Sequence, residues 1–397
     1  MNLKLFKTET FYNHNLEFFF IAFLLFYLFS AVLIKFFHFF YLLDLILPTL
    51  AILKLIVFFF YLVILIANFK RRRKIFIFTS FLLLVFLMGN LNLGKIITLF
   101  NNSYHFNDLY KYSLSMNITY LIKYLYPFFF LGVFSLLKNK QKTIKDYFVT
   151  LEKTLIFNAF FVFLGFSFSI DFFQSYMHSN RFGYSGILEA GFLEYLLMIV
   201  ISRKLFLDEI NLKLAILTIS SLLIGTKIII LFYIVLLFYY LYEKRKVRLL
   251  FIYIGVMFLG LFFLKPIINV FAKIFPFWQP ILNKYGYLTL ITSTRDWNIQ
   301  NTIEYIRLNG TLKNLFVGGL EFSKCGVEMD FIDLFLFFGI IGTVVYILFL
   351  GKLIYKSYHL IPLIAAFFSG DFLLSTITIS IYFLWMYESH SEQKALF

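Results

Sequence analysis

Long runs of apolar residues dominate the chain, and they limit the folds that it can adopt. One run begins near Phe18, and many of those that follow are long enough to form a helix that spans a bilayer. Of the 397 residues, 61% are hydrophobic and only 14% are charged, whereas about a quarter of the residues in a soluble domain are charged. The sequence therefore excludes a water-soluble globule and predicts an all-α, polytopic integral membrane protein.

The apolar runs predict about twelve membrane spans. They lie at roughly 17–34, 47–69, 75–91, 118–137, 154–170, 187–202, 212–224, 228–242, 249–264, 331–350, 359–369 and 372–387. Two pairs of these spans are short and turn at a glycine beside a charged residue, at Gly225-Thr226-Lys227 and at Gly370-Asp371. Such pairs are typical of hairpins near the interface or of broken helices that line a cavity.

Positive charges are concentrated on one set of predicted loops, and this asymmetry predicts the orientation of the chain. Lys4 and Lys7 precede the first span, and Lys70–Lys74 is a continuous run of cations. Lys35 and Lys95 are among the few cations predicted in loops on the other side. Because cytoplasmic loops carry an excess of Lys and Arg, both termini are predicted to be cytoplasmic. The net charge of +15 comes from scattered loop cations rather than a basic stripe, so nucleic acid is not expected as a partner.

One long segment, 265–330, contains no credible span and is predicted to form a large outer loop. It divides the chain into nine spans at 1–264, the loop itself, and three spans with a cytoplasmic tail at 331–397. An amphipathic helix is predicted within the loop from four apolar residues near helical spacing, Trp297, Ile299, Ile303 and Ile306. Structured loops of this length are usually functional.

Charged residues from four distant stretches fall on the outer side of the predicted topology. They are Arg181, Lys227, Arg295 and the acidic group Glu328, Asp330 and Asp333. Arg can bind phosphate oxygens through two parallel hydrogen bonds, and Lys binds them as a point charge. The three cations therefore predict a site for a lipid-linked phosphate or pyrophosphate. A carboxylate that faces them could deprotonate a hydroxyl nucleophile, as needed to displace pyrophosphate from a sugar.

Each of these residues also has a purely structural interpretation. An interfacial cation can simply extend to lipid headgroups, and Asp330 and Asp333 would stabilise the start of a helix through its dipole. Gly339 and Gly342 are expected to allow close helix packing, and the many aromatic residues are expected in the core and in lipid contact. Lys123 differs from these, because a cation inside a span is costly and marks a functional site.

The order and spacing of these residues resemble the O-antigen ligase and O-antigen polymerase superfamily of membrane glycosyltransferases. Glu328-Met329, nine residues (Asp330 to Phe338) and Gly339-Ile340-Ile341-Gly342 are similar to the family's His-Asn, nine residues, Gly-x-x-Gly. Arg181 resembles the arginine of the preceding outer loop, and Gly225-Thr226-Lys227 resembles a Thr-Gly-Ser-Arg turn. Two further stretches, Thr294-Arg295-Asp296 and Phe316-Val317-Gly318-Gly319, are similar to the family's Gly-Arg-x-x-x-Trp and Phe-x-Gly-x-Gly.

This resemblance implies a polymerase at the periplasmic face of a bacterial inner membrane. It would move the growing glycan from undecaprenyl pyrophosphate onto a sugar hydroxyl of an incoming lipid-linked unit, so its partners are the lipid-linked oligosaccharide donor and acceptor and membrane lipid. Arg181, Lys227 and Arg295 would bind pyrophosphate, and Glu328 would be the catalytic base. No cofactor and no metal are implied, and the sequence leaves open whether a chain-length regulator protein binds.

By the same resemblance, Asp330 and Asp333 would bind sugars or support the site, and Lys123 is placed with them. Three alternatives stay open. A ligase of the same superfamily is disfavoured because Glu328 stands where ligases have histidine. A lipid-linked oligosaccharide flippase would place cations along a cavity within its spans, where the sequence has only Lys54 and Lys123. The carboxylates near the loop's end could instead bind a divalent metal through oxygen ligands.

Overall fold

The computed structural model describes residues 9–90, 108–177, 181–274, 277–368 and 370–391. Several predictions from the sequence concern positions outside these ranges. They include the cations Lys4, Lys7 and Lys95, on which the predicted orientation partly depends, and the end of the cytoplasmic tail.

The described chain is helical, and no β-strand occurs in these ranges. Its helices are α1 (Glu9–Phe39), α2 (Leu43–Ala67), α3 (Arg73–Asn90), α4 (Asp108–Phe134), α5 (Lys140–Phe168), α6 (Ala190–Phe206), α7 (Leu212–Leu223), α8 (Lys227–Glu243), α9 (Val247–Phe262), α10 (Leu264–Ile274), α11 (Trp278–Thr292), α12 (Arg295–Asn309), α13 (Leu312–Val317), α14 (Phe322–Cys325), α15 (Asp330–Leu353), α16 (Leu360–Phe367) and α17 (Thr376–Ser391). The all-α prediction is confirmed. The helix predicted within the loop is present as α12, but its predicted apolar face is not buried, since Trp297 and Ile303 are exposed.

Six of the described helices are long and apolar enough to cross a membrane. They are α1, α2, α3, α4, α5 and α15, and the sharply bent pair α9 and α10 makes a seventh if it counts as one span. These helices indicate a membrane protein. Other segments predicted as spans form shorter helices, such as the 17-residue α6 and the 12-residue α7.

Helix α2 shows how the apolar residues are divided between the core and the outside. Leu50, Phe58, Tyr61 and Leu65 are buried and recur at spacings that place them on one face of the helix. Apolar side chains on its other faces are exposed, as at Ile56. A helix that is apolar all round therefore packs one face on the bundle and leaves the remainder for lipid.

Aromatic rings fill the centre of the bundle. The rings of Phe20 and Phe130 are 5.1 Å apart, and those of Tyr61 and Tyr126 are 5.6 Å apart, both edge to face. Pairs of this kind add about 0.5–1.5 kcal/mol each beyond their buried area. The prediction that part of the aromatic content serves the core is confirmed.

The close packing predicted at the glycines of α15 is confirmed, and Gly339 lies against the end of the short helix α13. Gly339 has a φ of 66° and interrupts the helix, and a Cβ there would strike the backbone of Phe316. Gly319, with a φ of 88°, approaches the backbone of Gly89 in α3 equally closely. The turn after α13 is thus wedged between α3 and α15, while Gly342 packs on side chains.

Charged groups at one end of α6 form ion pairs. Lys204 lies 2.8 Å from Glu152 of α5, and Arg203 donates two hydrogen bonds, of 2.8 and 2.7 Å, to Glu388 of α17. Residues from the predicted outer loops gather near the other end of the helix, where Tyr195 bonds the Gly370 carbonyl. A predicted inner segment and a predicted outer turn, at Glu152 and Gly370, therefore contact α6 at different positions along its length.

The sequence predicted Lys35 in an outer loop, and this prediction is wrong. Helix α1 continues to Phe39, and Lys35 lies within it at 1% exposure. Its ammonium donates to Ser185 Oγ at 2.6 Å and to the Leu188 carbonyl at 3.3 Å. Because these partners are remote in sequence, the apolar run appeared to end before a loop cation.

Candidate functional site

Two glycine turns touch, and this contact brings Arg181 close to Lys227. Gly183 has a φ of 148° and Gly225 a φ of 75°. A Cβ on Gly183 would strike the Ile224 carbonyl, and Gly225 approaches the same turn equally closely. A backbone hydrogen bond of 2.7 Å also joins the two segments. The contact depends on residues that have no side chain.

We expect Gly183→Ala to lower the free energy of unfolding by about 1–3 kcal/mol, because alanine would be strained at this φ and would separate the turns. The measurement is denaturant unfolding of the purified protein in detergent. Gly191→Ala is the matched control, since nothing lies within 4 Å of a Cβ there and alanine favours a helix. Equal stability of the two variants would contradict the role of the turn contact.

An indole ring lies between the two cations. Trp278, which begins α11, is 7% exposed, and its ring centroid is 4.9 Å from the Arg181 guanidinium carbon and 4.0 Å from the Lys227 ammonium. The ring of Tyr176 contacts the same guanidinium at 3.7 Å. Cation–π contacts are worth about 0.5–2 kcal/mol each, so the rings stabilise two like charges that share a small space.

Lys227 begins α8, where the helix dipole disfavours a positive charge. It is held there by acceptors at the end of α11, the Leu290 carbonyl and Ser293 Oγ, the latter at 3.0 Å. Burial lowers the pKa of Lys227 to about 7, and the charges of Arg181 and Arg295 shift it in the same direction. The third positive charge of the cluster is therefore present below neutral pH and lost above it.

We expect the affinity for inorganic pyrophosphate to fall by up to about tenfold between about pH 6 and pH 8, as the Lys227 ammonium loses its proton. Isothermal titration calorimetry measures this affinity. Lys227→Arg is the control, because arginine stays charged throughout this range, and pyrophosphate's own titration affects both proteins equally. The same pH dependence in wild type and variant would show that Lys227 does not contact the anion.

Arg295, the first residue of α12, connects the cation cluster (Arg181, Lys227 and Arg295) to Glu328. Its Nε donates to the Glu328 carbonyl at 2.8 Å, and its Nη2 is 3.8 Å from the Glu328 carboxylate. The two preceding residues have left-handed φ values, with 72° at Thr294. That conformation costs about 1–2 kcal/mol per residue, and such strain is often found at functional sites.

Asp296 holds the junction that presents Arg295. Its carboxylate accepts hydrogen bonds from Thr289 Oγ1 at 2.6 Å and from Thr292 Oγ1 at 2.7 Å. Burial alone would raise the pKa of Asp296, but these hydrogen bonds outweigh it and lower the pKa below its ordinary value. The ionised carboxylate thus joins the end of α11 to the start of α12.

Glu328 extends into solvent from a strained loop. Its φ is 62°, and its side chain is 61% exposed. The amides on either side, of Val327 and Met329, donate to the two carboxylate oxygens of Asp333 at 2.7 and 2.9 Å. Asp333 is 2% exposed. Asp333 therefore holds the loop by its backbone, and the Glu328 carboxylate is left accessible.

Asp330 has a similar structural role. It is 2% exposed, and its Oδ1 accepts a hydrogen bond from the Leu373 amide at 3.3 Å. That amide follows Gly370, whose backbone packs against the backbone of Glu328. Of the two roles predicted for Asp330 and Asp333, sugar binding or support, this geometry favours support.

The structure brings four of the sequence-predicted residues together: Arg181, Lys227, Arg295 and Glu328. Lys123 is not among them. Its ammonium lies 4.9 Å from the centroid of the Tyr120 ring instead. As for the metal alternative, the described residues contain no group of three His, Cys, Asp or Glu side chains that could hold an ion. The functional roles of all these residues stay predictions.

Three neighbours of the site were not singled out from the sequence. No sequence feature identified Trp278 and Tyr176 as site residues, because their cation partners are remote in the chain. Glu194 could have been identified, since it is a carboxylate within a predicted span. In the structure it is 5% exposed on α6 and interacts electrostatically with Arg295.

Comparisons of the chain with known protein families, with curated proteins and with solved structures find no match. What the site can do therefore follows from its own residues. It presents positive charge from three separate segments beside one accessible carboxylate, so it can bind a polyanion and accept a proton next to it.

Proposed function

We propose that this protein is a membrane glycosyltransferase that polymerises undecaprenyl-pyrophosphate-linked repeat units into O-antigen or a similar surface polysaccharide. One observation carries the proposal: two cations of the cluster, Arg181 and Lys227, lie against Trp278, and the third, Arg295, adjoins the exposed carboxylate of Glu328. The sequence resemblance supports the same function. No cofactor takes part in the proposed reaction.

In this reaction, a hydroxyl oxygen of the acceptor unit attacks the anomeric carbon of the donor glycan. The bond from that carbon to the pyrophosphate oxygen breaks, and its electron pair leaves with undecaprenyl pyrophosphate. The cation cluster stabilises this departing charge, as preorganised donors do in other enzymes. Glu328 accepts the hydroxyl proton, and Asp333 positions the loop that presents it.

The proposal includes a topology of about twelve spans, in which shorter helices such as α7 and α8 cross together with the long ones. The segment 265–330 is then the large periplasmic loop, and both termini face the cytoplasm of a bacterial inner membrane. The contacts of α6 with a predicted inner segment through Lys204 and with a predicted outer turn through Tyr195, at different positions along the helix, support this arrangement.

A flippase for the same lipid-linked units is the second candidate, and one observation favours it. Lys35 lies within α1, just as Lys54 lies within α2 and Lys123 within α4. The helices therefore carry one more internal cation than the sequence indicated. Cations along a central cavity are expected of such a transporter. The exposed Glu328 beside the cation cluster has no role in transport, which is why we prefer the polymerase.

Deletion of the gene in its native bacterium, followed by electrophoresis of the surface glycan, tests the proposal. A polymerase deletion leaves single repeat units attached to the cell-surface lipid. A flippase deletion leaves no attached repeat, and a ligase deletion leaves polymer that is not attached. Either of the last two results overturns the proposed function. Restoration of long chains by the wild-type gene is the control.

A further inference from the structure

A cavity lies where three helices meet at their ends, apart from the candidate site. It has a volume of about 440 Å³ and is lined by the first turns of α5, by Arg203 in the last turn of α6 and by Glu388 near the end of α17. None of the described residues that line it belongs to the cation cluster or to the Glu328 loop. The cavity therefore has no part in the reaction proposed above.

The carboxylates that line the cavity already have cationic partners in the protein. Arg203 donates hydrogen bonds of 2.8 and 2.7 Å to the two carboxylate oxygens of Glu388. The buried ammonium of Lys204 lies 2.8 Å from the carboxylate of Glu152 and 3.0 Å from that of Glu209. These three acids are thus neutralised within the protein, and the cavity has little attraction for a cation.

Two other lining residues, Lys142 and Lys145 of α5, leave a positive charge in the cavity. Throughout the part of the chain that the structure describes, no carboxylate lies at salt-bridge distance from either ammonium. Both side chains are exposed, and their spacing of three residues places them side by side on one helix face. Because the charge that is left without a partner is positive, the cavity fits an anion.

An exposed apolar surface continues from the cavity along the same face of α5. Val149 lines the cavity at helical spacing from the two lysines, and Phe160 follows about three turns further along the helix, or about 16 Å. Both are exposed, as is Phe157 beside them. Lys153 is exposed on this face too, where a lysine covers apolar surface with its stem and extends its ammonium to headgroups. Since α5 is long and apolar enough to cross a membrane, this surface faces lipid.

We propose that the cavity binds the headgroup of an anionic phospholipid, with its phosphate at Lys142 and Lys145 and an acyl chain along Val149 and Phe160. A soluble phosphate compound would satisfy the lysines but would leave the adjoining apolar surface uncovered. Phosphatidylcholine carries the same phosphate, but its choline cation would need a carboxylate that is not already paired. Basic pockets between membrane helices on the cytoplasmic side bind anionic lipid headgroups in this way.

Native mass spectrometry of the full-length protein in detergent tests the proposal. The protein is titrated with phosphatidylglycerol and with phosphatidylcholine that has the same acyl chains, and the affinity of the first bound lipid is measured. We expect wild type to bind phosphatidylglycerol at least about tenfold more tightly, as charge-assisted contacts provide. Lys142→Gln/Lys145→Gln should lose this preference and keep the affinity for phosphatidylcholine, because both lysines are exposed and the fold does not depend on them.

Lys70→Gln/Lys246→Gln is the matched control. It removes the same charge from two exposed lysines of predicted inner loops outside the cavity, and the preference for phosphatidylglycerol should remain. Equal affinity of wild type for the two lipids overturns the proposal. A preference that survives in the cavity variant, or that falls equally in the control, also overturns it, because general attraction to a basic surface would then be the cause.

Glycerophosphoglycerol, the headgroup without acyl chains, distinguishes a lipid from a soluble phosphate compound. We expect it to bind at least about tenfold more weakly than phosphatidylglycerol, since it buries none of the apolar surface of α5. Binding as tight as that of the whole lipid overturns the assignment of a lipid to the cavity. None of these outcomes bears on the polymerase, because the cavity and the candidate site share no described residue.

Discussion

Replacing Glu328 by glutamine is expected to reduce polymer formation by about 10²–10⁴-fold, the range that a general base contributes. The amide keeps the size of the side chain but cannot accept the hydroxyl proton. Because the Glu328 side chain is 61% exposed and its loop is held through the Asp333 carboxylate, the fold should be unchanged. The rate can be measured with purified protein and lipid-linked repeat units, and the chain length in a complemented deletion strain.

Glu304→Gln is the matched control for this substitution, because Glu304 is an exposed glutamate of α12 outside the site. Both variants should bind inorganic pyrophosphate as wild type does, since the three cations are retained. Full-length glycan from Glu328→Gln at normal expression would show that another group removes the proton. Asp371, which adjoins the same loop, would then be the first residue to test.

Arg295→Ala is expected to leave only single-repeat products, with a rate loss of about 10²–10³-fold. The substitution removes one charge from the cation cluster and also the hydrogen bonds to the Glu328 and Thr292 carbonyls, of 2.8 and 3.1 Å. Arg295→Lys restores the charge but not this pair of contacts. We expect the lysine variant to recover pyrophosphate affinity more fully than polymer formation.

Arg307→Ala, an exposed arginine of the same helix, is the control for Arg295. Its glycan should match that of wild type on a gel. Unaltered chain length in Arg295→Ala would contradict the proposed role of the cation cluster. Weaker pyrophosphate binding with normal chain length would instead separate anion binding from the polymerisation step.

The helices could be predicted from the sequence because apolar runs have a simple physical meaning in a bilayer. The number of spans could not be settled in this way. The runs at 187–202 and 212–224 form helices of 17 and 12 residues, whose length alone does not decide between crossing and re-entry. Lys35 was misassigned because its partners, Ser185 and Leu188, become neighbours only in the folded chain.

The charged residues of the site were predictable from the sequence, but the contacts that position them were not. A cation on an outer loop has a chemical meaning before folding, and Arg295 and Glu328 could be identified in that way. The touching turns at Gly183 and Gly225 depend on a contact between distant segments. The hydrogen bonds to Asp333 are local, but they depend on the left-handed conformation of Glu328.

The position of Trp278 gives the protein an intrinsic optical reporter. Arg181 and Lys227 lie against its indole ring, and an anion that drew either cation away would change the field at that ring and so its fluorescence emission. The chain has 3 tryptophans, so replacing Trp297 and Trp385 by phenylalanine would leave Trp278 as the single tryptophan, which can be excited selectively over the tyrosines. Occupancy could then be followed in real time without a labelled ligand.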